Sequence, residues 1–168
     1  MLLLKNSRIV LIAIDLKMGQ LLLNNREEFH KIYNIPLRNQ FPSNGLRSLL
    51  PYYLERLDNN NDELGFGPWL VKDKYHIIGE LGLKNFLSVN NTVDLGYNIY
   101  PLFRGNGYAS EAVFMLCDWL FNQNVTVVTA SCDIKNAPSI KVLKNSGFRN
   151  IGLEKNFILF EKRCSKNE

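Results

Sequence analysis

Arg104-Gly105-Asn106-Gly107-Tyr108-Ala109 stands between an extended segment that ends at Tyr100-Pro101 and a long apolar helix that begins near Ser110. Two glycines ahead of a helix leave backbone N–H groups uncovered by side chains, and the amides of a first helical turn have no intrahelical acceptor. A loop of this kind can cradle an anion such as a pyrophosphate. Arg104 adds a fixed positive charge at the same place. Tight glycine turns before helices also serve as plain connectors, so the flanking sequence has to separate the two readings.

Downstream, Ser110 to Asn122 places Ala112, Val113, Leu116, Leu120 and Phe121 at helical spacing, with Phe114, Met115 and Trp119 widening the apolar surface. This pattern predicts a helix largely buried against a sheet. Val125 to Ser131 is a β-branched run typical of an interior strand. Asn136-Ala137-Pro138 then offers a cap followed by a first-turn proline, Ile140 and Leu143 point inward, and Gly147-Phe148 closes the helix. Arg149 to Lys162 reads as a final hairpin.

Upstream, Val93 to Tyr100 is a strand, and Trp69 to Lys72 with Tyr75 to Leu83 forms an antiparallel hairpin around Asp73-Lys74. Asp58 to Glu63 and Lys84 to Asn91 are polar breaks. Arg8 to Asp15 is a strand, Leu16 to Asn24 a helix, and a second helix includes Glu27 to Tyr33. Pro36, Pro42 and Gly45 make Asn34 to Ser48 a mobile connection into a helix around Leu49 to Leu57. The order predicts an α+β protein with one mixed, mostly antiparallel central sheet flanked by helices, and a single domain over residues 1–168.

Composition agrees with that class. The chain has 168 residues, 46% of them hydrophobic, enough for one core of ordinary size. Its 20 basic and 16 acidic residues give 20 − 16 = +4, spread along the chain. The excess suits a polyanionic small ligand or solubility alone, and without a Lys/Arg-rich run nucleic acid is disfavoured. Met1 to Ile14 is apolar, yet Lys5 and Arg8 interrupt it and Asp15 ends it, so neither a membrane span nor a signal peptide is expected. Cys117, Cys132 and Cys164 form an odd set without CxxC spacing, which predicts buried or incidental thiols and fits a reducing cytoplasm. His30 and His76 stand alone without metal-ligand spacing, and no metal is expected.

The second half of the chain resembles the Gcn5-related N-acetyltransferase (GNAT) family, and within it the ribosomal-protein and Nα-acetyltransferase-like branch. The resemblance rests on Asp94-Leu95-Gly96-Tyr97 leading to Pro101, then Arg104-x-x-Gly107-x-Ala109 with Glu111-Ala112, then Asn136-x-x-Ser139 and Gly147-Phe148. The first forty or so residues match poorly, as expected of a family whose N-terminal, substrate-recognising helices vary. The resemblance implies a GNAT fold and acetyl-CoA as co-substrate, with Arg104, Gly105, Asn106, Gly107, Tyr108 and Ala109 at its pyrophosphate and Ser110 nearby. It implies that the strand before the turn splays from its neighbour and bonds the pantetheine arm through the backbone of Ile99 and Tyr100. A backbone N–H of that strand would also stabilise the oxyanion formed when an amine attacks the thioester.

For proton handling, Glu80 or Asp94 could deprotonate the acceptor amine directly or through water, and either could instead face solvent at a sheet end. Many family members place a tyrosine four residues before the Gly-Phe pair to protonate the departing thiolate. Leu143 stands there, which shifts attention to Ser139, matching a serine that hydrogen-bonds the coenzyme sulfur in the ribosomal-protein branch. Ser139 and Asn136 both also suit plain helix-capping roles, although one asparagine can serve cap and coenzyme together. A dinucleotide fold built on Gly105-x-Gly107-x-x-Ser110 and Asp133 lacks the third glycine and the buried leading strand, and no Gly-Lys-Ser/Thr of a P-loop is present. A non-catalytic acyl-coenzyme A binding module is the alternative from another class. Phe41, Tyr52, Tyr53 and Trp69 lie where the family builds its acceptor groove, or belong to ordinary core. The resemblance implies a primary amine as acceptor, either a protein or peptide N-terminus or a small molecule, and the C-terminal hairpin would offer an edge for a homodimer.

Overall fold

A computed structural model describes residues 1–33, 41–84 and 90–164. The chain divides into two compact units, Met1–Gly82 with Asn98–Phe103, and Leu83–Tyr97 with Arg104–Glu168.

The first unit carries β1 (Leu3–Lys5), β2 (Val10–Ala13), α1 (Leu16–Asn24), α2 (Arg26–Tyr33), α3 (Asn44–Asn59), β3 (Pro68–Lys72) and nearly all of β4 (Ile77–Leu83). Its strands run in the order β1-β2-β3-β4, each pair antiparallel, with Leu4 opposite Leu11, Ile12 opposite Leu70, and Leu70 opposite Glu80. Asp73 turns the hairpin between β3 and β4: its Oδ1 accepts the N–H groups of Tyr75 and His76 at 2.7 and 2.6 Å. Met18, Leu22, Phe29, Phe41, Leu46, Leu50, Tyr53, Leu57 and Tyr100 share one core cluster. Phe41, Tyr53 and Trp69 are therefore core residues, and of the aromatic residues expected at an acceptor groove only Tyr52 is exposed.

Two elements of this unit differ from the sequence expectation. β1 was not foreseen as separate; Asn6 reverses the chain there, its Oδ1 accepting the N–H groups of Arg8 and Ile9, both at 2.8 Å. α3 begins five residues before Leu49, because the Ser43 side chain caps it by accepting the Leu46 N–H at 3.1 Å and the buried stripe starts at Leu46. Pro51 lies inside α3 on its exposed side, where the carbonyl it leaves without a donor can be hydrated. Of the expected connection Asn34 to Ser48, residues 34–40 lie outside the described residues, as do 85–89 of the polar break after β4.

In the second unit, β5 (Thr92–Ile99, of which Thr92–Tyr97 belongs here) pairs in parallel with β6 (Val127–Asp133), Asp94 standing opposite Thr129. β8 (Phe157–Arg163) is antiparallel to both β6 and β7 (Arg149–Glu154), giving the order β5-β6-β8-β7. α4 (Tyr108–Asn122) buries Ala112, Val113, Leu116, Cys117 and Leu120. Phe114 faces outward, beneath the Lys162 ammonium at 4.9 Å from its ring. α5 (Ala137–Asn145) buries Leu143, whereas Ile140 is only half-buried. The α+β class and the mixed, mostly antiparallel strand arrangement are as expected. Among the described residues, no helix is long and apolar enough to cross a membrane.

Candidate active site

In the second unit, the turn ahead of α4 is exposed from Arg104 to Gly107. Gly105 and Gly107 hold φ of +81° and +82°, a conformation side chains disfavour. A Cβ on Gly105 would meet nothing within 4 Å, so its backbone faces open space. Gly107 is the N-cap of α4 and makes no side-chain capping bond, while its carbonyl accepts the Glu111 N–H at 3.2 Å. An uncapped start of a 15-residue helix, approached through bare left-handed glycines and flanked by Arg104, fits a diphosphate. Tyr108, Ala109 and Ser110 form the first turn of that helix and are half-buried.

The start of α5 is held from two sides. Asn136 Oδ1 accepts the Ser139 N–H at 3.1 Å, which makes Asn136 the cap, and the Tyr97 hydroxyl from β5 donates to the Ser139 carbonyl at 3.2 Å. Burial pushes the Tyr97 phenol above its ordinary range, the Ser139 side chain opposes that rise, and Cys132 adds to it. Tyr97 closes the Asp94-Leu95-Gly96-Tyr97 motif, and its contact with Ser139 spans 42 positions and is invisible before folding.

Asp94 and Glu80 have different surroundings. Asp94 lies in the second unit with its Oδ2 3.2 Å from Lys84 Nζ, and its Oδ1 accepts the Thr129 hydroxyl at 3.3 Å. Its charge is thus compensated by a neighbouring cation. Glu80, in the first unit, is 6% exposed. Its Oε1 accepts the Ser43 N–H at 2.9 Å and the Tyr100 hydroxyl at 2.6 Å, and its Oε2 accepts the Ser43 hydroxyl. It does not face solvent at a sheet end. Ser43 was missed in the sequence because its partner lies 37 positions away.

Ile99 and Tyr100 end the extended segment within the first unit. A Cβ on Gly79 would lie 2.5 Å from the Asn98 carbonyl oxygen and 2.7 Å from Ile99 Cδ1, so only glycine lets the two backbones approach there. The Tyr100 N–H donates to the Ile78 carbonyl at 2.9 Å, and its own carbonyl accepts the Phe103 N–H at 2.9 Å. The Tyr100 N–H is thus committed within the fold, while its carbonyl oxygen keeps a second lone pair for a further donor. Burial and the Glu80 charge raise its phenol far above the ordinary tyrosine range. Among the described residues no group of three or more His, Cys, Asp or Glu is placed to hold a metal ion.

Residues 8–149 match the sequence model of the acetyltransferase (GNAT) domain, a span that takes in parts of both units. An uncharacterized N-acetyltransferase of Bacillus subtilis, YjdG, is 29% identical over 151 residues, 88% of this chain and 90% of that protein. Among solved structures, ribosomal-protein-S5-alanine acetyltransferase from Vibrio fischeri has a TM-score of 0.68 at 20% identity, covering 99% of this chain and 98% of that one. The microcin C7 self-immunity acetyltransferase MccE, solved with acetyl-CoA and AMP, has a TM-score of 0.64 at 21% identity over 95% of this chain and 94% of its own. At these identities the two solved structures share the fold.

Proposed function

This chain belongs to the acetyltransferase (GNAT) family and is an acetyl-CoA-dependent N-acetyltransferase, and we propose that it acetylates the α-amine of a peptide or protein, acting as one domain over residues 1–168. The fold it shares with a ribosomal-protein alanine acetyltransferase supports that acceptor class. Small primary amines are the competing acceptors.

The observation that carries the coenzyme assignment is the pair of left-handed glycines opening on an uncapped helix. Arg104 through Ala109 take the pyrophosphate through backbone N–H groups, with Ser110 beside them. The backbone at Ile99 bonds the pantetheine arm, and Asn136 adds a polar contact from the start of α5. Acetyl-CoA supplies an activated acyl group, so the protein has mainly to orient it and move protons.

Glu80 accepts a proton from the acceptor ammonium and leaves a neutral amine. Its nitrogen lone pair forms the new C–N bond as the C–S bond breaks, and a second N–H proton leaves with the thiol. Glu80 then returns its proton to water. Asp94, paired with Lys84, anchors β5 to its neighbours rather than serving as this base. Ser139 hydrogen-bonds the departing sulfur, a task for which Leu143 has no polar group.

Gly107→Glu tests the turn by placing a carboxylate where the phosphates bind. Coenzyme A affinity by calorimetry should fall at least about tenfold, equivalent to about 1.4 kcal/mol. Gly107→Ala bears the same backbone strain without the charge and should lose less. Parental affinity in the glutamate variant sinks the pyrophosphate assignment. Thiol release from acetyl-CoA across a panel of peptides and small amines identifies the acceptor, and binding without turnover across the whole panel would favour a sensor.

A further inference from the structure

We propose that Ser43 and Tyr100 are positioning residues for acetyl transfer, holding the Glu80 carboxylate in one orientation from the start of α3 and from the segment that follows β5. The inference rests on Glu80 being the proton acceptor.

A glutamate side chain has three rotatable bonds and ordinarily spreads its carboxylate over several orientations. At Glu80 both oxygens are engaged: Oε1 by the Ser43 N–H at 2.9 Å and the Tyr100 hydroxyl at 2.6 Å, Oε2 by the Ser43 hydroxyl. The donors come from two places outside β4, so turning the carboxylate about its last bond breaks at least one of these bonds. Each donor is fixed in turn. Ser43 Oγ accepts the Leu46 N–H at 3.1 Å, which directs its single proton to Glu80. Tyr100 is tied by its N–H to Ile78 and by its carbonyl to Phe103, and its buried phenol remains a donor.

Such a clamp suits a base that must meet an ammonium proton at one place and release it again. Three donated bonds occupy two acceptor positions of Oε1 and one of Oε2, so the clamp serves the base by aiming the remaining lone pair of Oε2, and it does so at some cost in proton-accepting strength. Ser43 therefore has two tasks in one hydroxyl, capping α3 and aiming Glu80.

The test uses the full chain with acetyl-CoA and the amine that the parent turns over fastest in a mixed panel. Glu80→Gln should lower kcat about a hundredfold, within the range for a lost general base. Tyr100→Phe, which keeps the ring, and Ser43→Ala should each lower kcat about tenfold, with acetyl-CoA affinity and the KM of the amine held near parental values. Ser43→Thr keeps the hydroxyl and should regain most of the loss. In a Glu80→Gln background neither change should cost more, because both act through that carboxylate.

Normal kcat in Tyr100→Phe and Ser43→Ala beside an impaired Glu80→Gln removes the clamp and leaves the base standing. Normal kcat in Glu80→Gln removes the base and the inference with it. Losses that multiply in the Glu80→Gln background also overturn it, since Ser43 and Tyr100 would then act independently of Glu80.

Discussion

Ser139 and Leu143 lie four positions apart on α5 and hence on one side of it. Leu143 is 1% exposed, so the position where the family resemblance implies a phenol is here filled by core packing. This leaves the hydroxyl of Ser139, one turn earlier, with its main chain fastened by Asn136 and Tyr97. For Ser139→Ala we expect kcat to fall about tenfold while coenzyme A affinity changes less than about twofold. Stopped-flow thiol release and calorimetry measure the two separately, and equal turnover in variant and parent removes Ser139 from the mechanism. At this scale the sequence was legible where a side chain acts on its own neighbourhood. Asn136 could be read as a cap because its partner is Ser139, three residues on. Ser43 and Tyr97 could not be assigned, because their partners arrive only through tertiary packing.

Elements with a local signature were the readily legible ones. α1 spans Leu16–Asn24 as its periodicity indicates, begins at an aspartate, and buries Met18 and Leu22 on one side. Asp15 Oδ1 accepts the Met18 N–H at 2.9 Å, so Asp15→Ala should cost about 1 kcal/mol of unfolding free energy in urea titrations. A loss within error would mean that packing alone sets the start of α1. Pro36, Pro42 and Gly45 signal a connection before the expected start at Leu49, yet α3 starts earlier, and Gly45 lies inside the helix, as Pro51 does. Both lie on its exposed side, where a missing side chain or donor costs little compared with the apolar stripe from Leu46 to Leu57. β1, only three residues long, is too short for a periodic signal and owes its existence to pairing with β2.

For the molecule as a whole, the buried tyrosines set an alkaline limit on stability. Tyr53 and Tyr100 are both held well above the ordinary value of 10.0, chiefly by burial. Unfolded tyrosines ionise near pH 10, whereas these stay protonated in the folded state. Their contribution is therefore complete below about pH 10 and is lost progressively as pH rises above it. Urea midpoints should begin to fall above about pH 8.5, where the unfolded thiols of Cys117 and Cys132 ionise while burial holds both raised in the folded state, and fall further by pH 11 as the tyrosines join. Tyr53→Phe should flatten part of that fall, and at neutral pH cost about 1 kcal/mol for the lost bond to the Ile14 carbonyl, which the parent makes at 3.0 Å. An unchanged alkaline slope in Tyr53→Phe would assign the limit to other groups. The path of the chain carries a further consequence. It leaves the first unit after Gly82, returns for Asn98–Phe103, and departs again at Arg104. Neither unit is an unbroken piece of polypeptide, so truncation after residue 82 would strip the N-terminal piece of Tyr100 and its phenol. During synthesis the ribosome must therefore extrude Phe103 before the first unit can finish folding, and no single protease cut can divide the chain into one whole unit and the other.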